Sequence, residues 1–266
     1  MDILTVCIVI YKPNVSELYN TLSSLQRAVK NIEISVETRI LIVDNSPDAS
    51  IDRDFHPVFL EISTRLIHGH GNIGFARANN LIFNGDVGSF HLVLNPDVEL
   101  SPLALKIALS FMLENSECGL LSPAAIYPNG KKQYLCKRYP SLYNLLLRGF
   151  APRFISKLFQ KQLDRYEMRE ETNSNVYWNP PIVSGCFMFF RGNVFRMIRG
   201  FDERYMLYFE DFDITIRTRR IALIAYVPDV QIIHSGGDAA KKGWWHIKQF
   251  GLSAILFFRT HGIKLF

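Results

Sequence analysis

The chain has 266 residues, 48% of them apolar and 21% charged, with 30 basic and 25 acidic side chains and a formal net charge of +5. This composition excludes a disordered chain and is typical of a globular protein with a sizeable core. The length fits one large domain, or one domain with an appended segment.

The first half alternates the patterns of strands and helices. Apolar runs rich in β-branched residues predict buried strands at residues 4–11, 39–43, 64–68 and 91–94. Helical spacing of apolar residues predicts helices over 15–29 and 75–83. A further helix is predicted after the fourth strand, with Ser101 as its N-cap and Pro102 at its first position. The alternation predicts an α/β fold with a doubly wound sheet.

The second half carries further strand patterns at 182–190, 222–227 and 230–234, and a turn at 200–202. Residues 209–221 predict a helix whose acidic residues come first and whose basic residues come last, the polarity that a helix dipole favours. Residues 139–168 mix basic and large apolar side chains at helical spacing.

Three polar segments follow predicted strands. Asp44 follows the second strand, the glycine-rich loop 69–74 follows the third, and Asp97 follows the fourth. Because ligands of doubly wound sheets bind beyond the carboxyl ends of the strands, we expect the three segments to face one crevice.

The net charge is unevenly distributed. Residues 1–130 carry 8 basic and 14 acidic side chains, a net −6, and residues 170–240 carry 7 and 9, a net −2. Residues 131–169 carry 10 and 2, a net +8, and residues 241–266 carry 5 and none, a net +5. Two basic segments in an otherwise acidic chain indicate an anionic partner: nucleic acid, a membrane surface or a phosphorylated substrate.

The four cysteines, Cys7, Cys118, Cys136 and Cys186, are scattered and have no histidine at ligand spacing. They predict neither a zinc site nor a disulfide framework, and a reducing compartment is the default. The N-terminus lacks the basic segment of a signal peptide, and no apolar run approaches the roughly 20 residues that span a bilayer.

Several of these polar residues have a structural and a functional interpretation. Asp44 can close an Asx turn or accept a hydrogen bond from a pyrimidine base. The loop ending at Gly74 can be an ordinary tight turn, or it can bring backbone close to a nucleotide whose diphosphate Arg77 would meet. Asn95-Pro96-Asp97 can be a turn, or Asp97 can bind a hard cation that also grips a diphosphate. Glu99 can assist that cation or be solvated.

Two further positions have the same ambiguity. The acids of Glu210-Asp211-Phe212-Asp213 can have a structural role. They would stabilise the N-terminus of a helix, and Asp213 would form an i,i+4 ion pair with Arg217. A carboxylate emerging from the apolar run before this segment can instead be desolvated and act as a general base. His234 can be a satisfied core histidine, or a second metal ligand at a strand end.

Taken in order, these motifs resemble the inverting glycosyltransferases of family two, which have the GT-A fold. The matching blocks are VCIVIY, LIVDNS, GNIGFARANN, LVLNPDV, the run VSGCFMFFRGNVFRMIRGFDERYMLYFEDFDITIR, and YVPDVQIIH. GFARANN, LNPDV and the GFDERY–FEDFD block are most similar to the bacterial rhamnosyltransferase branch. Those enzymes move L-rhamnose from dTDP-L-rhamnose to a growing surface polysaccharide such as O-antigen or capsule, often on a lipid-diphosphate carrier.

The resemblance implies a role for each motif residue. Asp211 would be the catalytic base, and Asp97 and His234 would bind Mg²⁺ or Mn²⁺. The donor nucleotide sugar would be bound by Tyr11, Asp44, Gly74, Arg77 and Asn95. The Asp-x-Asp motif typical of GT-A enzymes reads Asn95-Pro96-Asp97 here.

The resemblance also implies a division of the chain. Residues 1–240 would form the GT-A domain, with a Rossmann-like nucleotide-sugar half over 1–130 and an acceptor half over 131–240 that includes a basic helical insertion, 139–168. Residues 241–266 would form a basic amphipathic segment at the C-terminus. The basic stretches 141–168 and 244–266 can be amphipathic helices packed on the catalytic core. They can also bind the cytoplasmic leaflet peripherally, where a lipid-diphosphate-linked saccharide acceptor would be met, and this is the binding that we expect.

Three other functions fit parts of the sequence. A nucleic-acid binder would use the basic segments but leaves the acidic crevice unexplained, so no nucleic-acid partner is expected. A nucleotide-sugar-binding protein without catalysis is disfavoured by Asp97 and Asp211. A family-two enzyme with a UDP-sugar donor (GlcNAc, Gal or Glc) is the strongest competitor, because the shape of the pocket selects the sugar.

Overall fold

The computed structural model describes residues 1–48, 62–85, 87–149, 159–236 and 243–263. The centre of the predicted basic insertion, residues 150–158, and both ends of the 241–266 segment lie outside the described residues. In chain order the strands are β1 (Asp2–Ile10), β2 (Val36–Asp44), β3 (Ser63–Ile67), β4 (Phe90–Leu94), β5 (Val98–Leu100), β6 (Cys118–Ile126), β7 (Lys132–Gln133), β8 (Cys136–Lys137), β9 (Tyr177–Trp178), β10 (Ile182–Val183), β11 (Phe187–Arg191) and β12 (Leu223–His234).

The helices surround these strands. They are α1 (Val15–Lys30), α2 (Phe75–Asn80), α3 (Ala104–Glu114), α4 (Leu142–Gly149), α5 (Gln160–Tyr166), α6 (Gly192–Met197), α7 (Glu210–Thr218) and α8 (Trp244–His261), with a 3-10 turn at Leu81–Asn84. Among the described residues, no helix is both long enough and apolar enough to cross a bilayer.

A ten-stranded mixed sheet forms the centre, in the order β3-β2-β1-β4-β11-β6-β12-β5, with β7 beside β6 and β9 beside β12. Strands β1 to β4 are parallel, β11 inserts antiparallel between β4 and β6, and β5 closes one edge antiparallel to β12. The short strands β8 and β10 form a separate pair. The predicted doubly wound mixed sheet with a Rossmann-like first half is confirmed.

The sheet is covered on both faces, as the continuous apolar run of β1 predicts. Leu4, Val6 and Ile8 lie in one buried cluster with side chains of α1 and α3. Cys7 and Val9 point into a second cluster on the opposite face. All four cysteines are buried free thiols.

Three local predictions are wrong. Helix α3 begins at Ala104, and Leu103 takes the N-cap position; the Ser101 carbonyl accepts from the Ala104 N–H at 3.0 Å, which closes a turn before the helix. The predicted strand 182–190 is two strands, since the backbone leaves the ladder at residues 184–186. The predicted strands 222–227 and 230–234 are one strand, β12. Pro228 lacks an N–H, and the pairing with β6 shifts between Val227 and Gln231 while the strand continues.

Helix α8 packs on the segment that leads into α7. Phe250 and Phe257 contact the Phe209 ring, with centroids 5.1 and 5.3 Å away, and Phe257 also contacts Phe212 at 6.0 Å. The Ser253 hydroxyl donates to a backbone carbonyl of the same segment at 2.8 Å. The C-terminal helix is therefore part of the support of α7.

Candidate active site

The carboxyl ends of the parallel strands bring the first group of predicted residues together. The register pairs Ile10 with Asp44 across β1 and β2, and Ile8 with Leu94 across β1 and β4. Tyr11, Asp44 and Asn95 therefore stand at one edge of three adjacent strands. The register therefore places these residues at the edge where the sequence predicts a crevice.

Asp44 is buried and forms the Asx turn that the sequence predicts as one of its two interpretations. Its Oδ1 accepts a hydrogen bond from the Ser46 N–H at 2.9 Å. The Ser46 hydroxyl in turn accepts from the Lys12 N–H at 2.8 Å, which fixes the backbone after β1. Tyr11, in the same segment, is about half exposed. A rigid turn thus holds a buried carboxylate beside an accessible aromatic ring.

The glycine-rich loop touches the segment that precedes α7. Gly74 has a φ of 88°, and a Cβ at this position would lie 2.7 Å from the Met206 carbonyl oxygen. The next N–H, that of Phe75, donates to the same carbonyl at 3.0 Å. Glycine is required here both by its backbone conformation and by this close approach. Arg77 is exposed and lies 3.7 Å from a Glu203 carboxylate oxygen.

Asp97 and His234 come together because β5 pairs with β12. The register places Val98 opposite His234, and the His234 Nε2 lies 3.5 Å from an Asp97 carboxylate oxygen. The Ser235 N–H also donates to the Asp97 carbonyl at 3.1 Å. Residues far apart in sequence are thereby joined at the same edge of the sheet.

Gln133 orients the His234 ring. The sequence did not predict this residue, because a glutamine on the two-residue strand β7 gives no motif signal. Its amide nitrogen donates to the Gly236 carbonyl at 3.1 Å, so its oxygen faces the His234 Nδ1 at 2.9 Å. The Nδ1 therefore carries the hydrogen, and Nε2 is directed at Asp97. Burial alone lowers the pKa of His234, but Cys186 and Asp97 raise it, to about 10.

The space between Asp97 and His234 is bounded by a bare glycine. A Cβ at Gly236 would lie 2.4 Å from the Asp97 Oδ2 and 3.0 Å from the His234 Nε2. A carboxylate oxygen suits Mg²⁺ or Mn²⁺, and the imidazole nitrogen of His234 could join it once a bound cation has displaced its proton. The described residues contain no group of three or more His, Cys, Asp or Glu able to hold a metal. A cation here would complete its shell with substrate phosphates and water, as Mg²⁺ commonly does.

Asp211 lies in the first turn of α7 and is fixed by backbone donors. Its Oδ2 accepts from the Gly185 N–H at 3.0 Å, and its Oδ1 accepts from the Phe212 N–H at 3.0 Å. Burial raises the pKa of Asp211, and the charge of Lys137 and the backbone donors oppose this rise only in part. The predicted desolvated carboxylate is present. The segment 184–186 that supplies the Gly185 donor was not predicted.

The other two acids of the motif have different surroundings. Asp213 pairs with Arg217 at 2.7 Å, as predicted, and also accepts from His261 of α8 at 2.8 Å. Glu210 is buried, and burial together with the charge of Asp211 raises the pKa of Glu210 well above its usual range. Asp211 is thus held by two N–H donors, whereas Asp213 serves the packing of α8.

The chain has relatives among known proteins, although no family model matches it. Two curated proteins of Mycobacterium tuberculosis, from strains CDC 1551 / Oshkosh and ATCC 25618 / H37Rv, are 25% identical to it over 302 residues. The match covers 98% of this chain and 92% of each relative. Both are named N-acetylglucosaminyl-diphospho-decaprenol L-rhamnosyltransferase.

Solved structures share the fold at low identity. GalNAc-T7 with UDP, GalNAc and Mn²⁺ has a TM-score of 0.65 at 13% identity, covering 90% of this chain and 45% of its own. The mannosyltransferase PcManGT of Pyrobaculum calidifontis, with GDP-Man and Mn²⁺, has 0.56 at 16%, covering 95% and 64%. S. aureus TarS 1-349 with UDP-GlcNAc has 0.57 at 15%, covering 97% and 67%.

The fold and the curated relatives define the protein as a glycosyltransferase with a GT-A fold. Within that class, the resemblance to the rhamnosyltransferase branch of family two, first indicated by the sequence blocks, is confirmed by the similarity to the mycobacterial rhamnosyltransferases over nearly the whole chain.

Proposed function

We propose that the protein is an inverting rhamnosyltransferase that moves L-rhamnose from dTDP-L-rhamnose to a lipid-diphosphate-linked saccharide in the synthesis of a bacterial surface polysaccharide, O-antigen or capsule. The observation that carries this proposal is the similarity to two L-rhamnosyltransferases over 98% of the chain. The names of these relatives describe a lipid-diphosphate-linked acceptor.

The donor is assigned to the edge formed by β1, β2 and β4. Asp44 accepts from the pyrimidine base, and the exposed Tyr11 ring packs beside it. Gly74 and Asn95 bring backbone and amide groups close to the sugar diphosphate. Arg77 is exposed and, among the described residues, pairs only with the exposed Glu203, so it can turn toward the diphosphate at low cost.

Asp97 and His234 would hold Mg²⁺ or Mn²⁺, with Gln133 and Gly236 shaping the site. When bound there, such a cation would supply positive charge that offsets the charge on the leaving nucleoside diphosphate. The carboxylate, the imidazole nitrogen and the space that a Cβ at residue 236 would fill support this assignment.

Asp211 is the general base. It takes the proton of the acceptor hydroxyl as that oxygen attacks C1 of the sugar, while the bond from C1 to the diphosphate oxygen breaks on the opposite face. A single displacement of this kind inverts the anomeric centre. The raised pKa of Asp211 strengthens it as a base relative to an exposed aspartate.

The donor sugar is tested by offering a panel of dTDP- and UDP-sugars and reading transfer and hydrolysis products by mass spectrometry. We expect turnover with dTDP-L-rhamnose above every other donor. Preference for UDP-GlcNAc, UDP-Gal or UDP-Glc would replace the rhamnose assignment by the alternative of a UDP-sugar transferase. The UDP-sugar alternative is included because TarS, which shares the fold, has been solved with UDP-GlcNAc.

We place the protein on the cytoplasmic face of the cell membrane as a peripheral protein. Helix α8 supports this placement with one exposed row of apolar and basic side chains at helical spacing: Trp244, Lys248, Leu252, Ile255 and Arg259. Such a row combines the apolar contact and the cationic charge that an anionic lipid surface attracts.

A further inference from the structure

A basic cavity of about 890 Å³ lies beside α7, apart from the residues assigned to the donor and the metal. Its walls come from the segment after β8, from α5, from the end of α7 and from the end of α8. The basic side chains that line it are Arg138, Lys161, Arg165, Arg219 and Arg220. Among the described residues that line it there is no Asp or Glu.

The cations of this cavity are mostly without counter-charges. Arg138 pairs with Glu171. Within the described parts of the chain, no hydrogen bond or ion pair engages the side chains of the other four, Lys161, Arg165, Arg219 and Arg220. Lys161 and Arg165 are four residues apart on one helix, and Arg219 and Arg220 are adjacent. Like charges so close together repel and lower stability, so an anionic ligand would relieve a cost that the fold alone leaves in place.

A buried group joins this wall. His261 lines the cavity and its side chain is 3% exposed. Its Nε2 is bound to Asp213, and its Nδ1 has no partner among the described residues. The cavity thus combines exposed cations at its rim with a largely buried histidine side chain in its wall.

The position of the cavity relates it to the proposed base. Arg219 follows Asp211 by eight residues on α7 and its C-cap, which is about 12 Å along the helix axis. Arg138, on the opposite wall, directly follows Lys137, whose charge acts on the Asp211 carboxylate. The distance of about 12 Å between Asp211 and Arg219 along the helix axis is on the order of the length of one hexose that carries a diphosphate.

We propose that the basic cavity binds the diphosphate of the acceptor, while the saccharide attached to it reaches Asp211. One arginine guanidinium can bind two oxygens of a phosphate, and a cluster of arginines suits a ligand with more than one negative charge. This inference rests on the proposed function for the identity of the acceptor, but the cavity itself is tested separately.

The test measures farnesyl diphosphate binding by calorimetry with EDTA present, so that the metal site cannot hold a diphosphate. Arg219→Glu/Arg220→Glu and, from the facing wall, Lys161→Glu/Arg165→Glu are each expected to weaken binding about tenfold or more. Arg27→Glu/Arg65→Glu makes the same charge change at exposed sites outside the cavity and should bind within twofold of wild type. Thermal melts check that each variant is folded.

Unchanged binding in both cavity variants, or no binding by the wild type, would overturn the inference. Vesicles of phosphatidylglycerol distinguish a lipid headgroup from a diphosphate. If the cavity variants lose vesicle binding but keep farnesyl diphosphate binding, the cavity serves headgroups and the proposal is wrong.

Transfer assays separate this inference from the proposed function. If the cavity variants weaken farnesyl diphosphate binding while no rhamnose transfer is found in the wild type, the function fails and the anion site stands. If the wild type transfers rhamnose and the cavity variants keep the same KM for the lipid-diphosphate acceptor, the function stands and the cavity assignment fails.

Discussion

The Gly185 backbone N–H donates to the Asp211 carboxylate at 3.0 Å, and a Cβ on residue 185 would stand 3.1 Å from the Asp211 Cβ. The backbone carbonyl of the next residue, Cys186, accepts from the Asn95 N–H at 2.9 Å. Two consecutive residues between β10 and β11 therefore join the carboxylate of α7 to the segment that leads to Asp97.

Asp211→Asn is expected to lower kcat by about 10²- to 10⁴-fold, the contribution that a general base makes. Binding of dTDP-L-rhamnose should remain, because the amide keeps the size of the side chain. Turnover and donor affinity are measured on the same preparation. Asp229→Asn, at an exposed site of β12, should be as active as wild type, and substantial transfer by Asp211→Asn would remove the base assignment.

Gly236→Ala is expected to weaken Mn²⁺ binding about tenfold or more, since the methyl group would fill the space between Asp97 and His234. The measurement is Mn²⁺ titration followed by electron paramagnetic resonance. Gly251→Ala is the control, because a Cβ there meets nothing within 4 Å.

Removal of the metal from the wild-type protein should abolish catalysis. EDTA is expected to stop turnover, and added Mg²⁺ or Mn²⁺ should restore it. Full activity after EDTA treatment, together with unaltered Mn²⁺ binding in Gly236→Ala, would refute the metal site.

Lys137→Met is expected to move the acidic limb of the pH profile of kcat/KM toward higher pH, by about half a pH unit or more. Lys137 favours the charged form of Asp211, so its loss raises the pKa of Asp211 further. Lys131→Met removes an exposed lysine nearby in sequence and should leave the limb in place. A limb that stays fixed in Lys137→Met would show that Asp211 does not govern it.

Glu210→Gln is expected to stabilise the fold at neutral pH. Because the pKa of Glu210 is raised on folding, the folded state binds more protons, and the free energy of unfolding falls as pH rises through the folded pKa. Each tenfold change in proton affinity is worth about 1.4 kcal/mol. Urea unfolding should find the variant more stable than wild type at pH 7 to 8, with the difference vanishing near pH 4. Equal stability at all pH values would contradict this.

Trp244→Glu/Leu252→Glu/Ile255→Glu is expected to abolish flotation with phosphatidylglycerol vesicles, since it removes the apolar row of α8. Wild-type flotation should decline as salt is added, because the cationic part of the attraction is screened. A second variant, Leu103→Glu/Leu113→Glu/Ile221→Glu, changes exposed apolar residues elsewhere and should still float. Failure of the wild-type protein to float with phosphatidylglycerol vesicles would count against the membrane assignment.

The elements that the sequence predicted best are those set by local pattern. The apolar run of β1 and the spacing of Leu18, Leu22 and Leu25 specify their own burial. The edge that holds Asp44 and Asn95 follows from the rule for parallel strands. Ser101 was mispredicted as an N-cap, since its carbonyl closes a turn with the Ala104 N–H and its own N–H is tied to Gln231, distant in sequence.

The site was predictable only in part for the same reason. Asp97 and His234 were each singled out by their strand ends, but their contact depends on the antiparallel pairing of β5 with β12. Gln133 and Gly185 act through a single polar atom each, and no periodicity marks such residues. Gly236 was not predicted either; the two consecutive glycines that follow Ser235 are the sequence signal that could have marked it.

Helix α8 is held along its whole length to the segment 207–213, which contains Asp211: His246 to Tyr208 at 2.7 Å, Ser253 to Leu207 at 2.8 Å and His261 to Asp213 at 2.8 Å. These contacts set a constant height between its exposed row and the Asp211 carboxylate. An enzyme bound to a bilayer through that row would hold the Asp211 carboxylate at a fixed distance from the lipid. It would add a sugar only to an acceptor hydroxyl at that distance, so an acceptor that already carries the added sugar would place its terminal hydroxyl too far from the carboxylate.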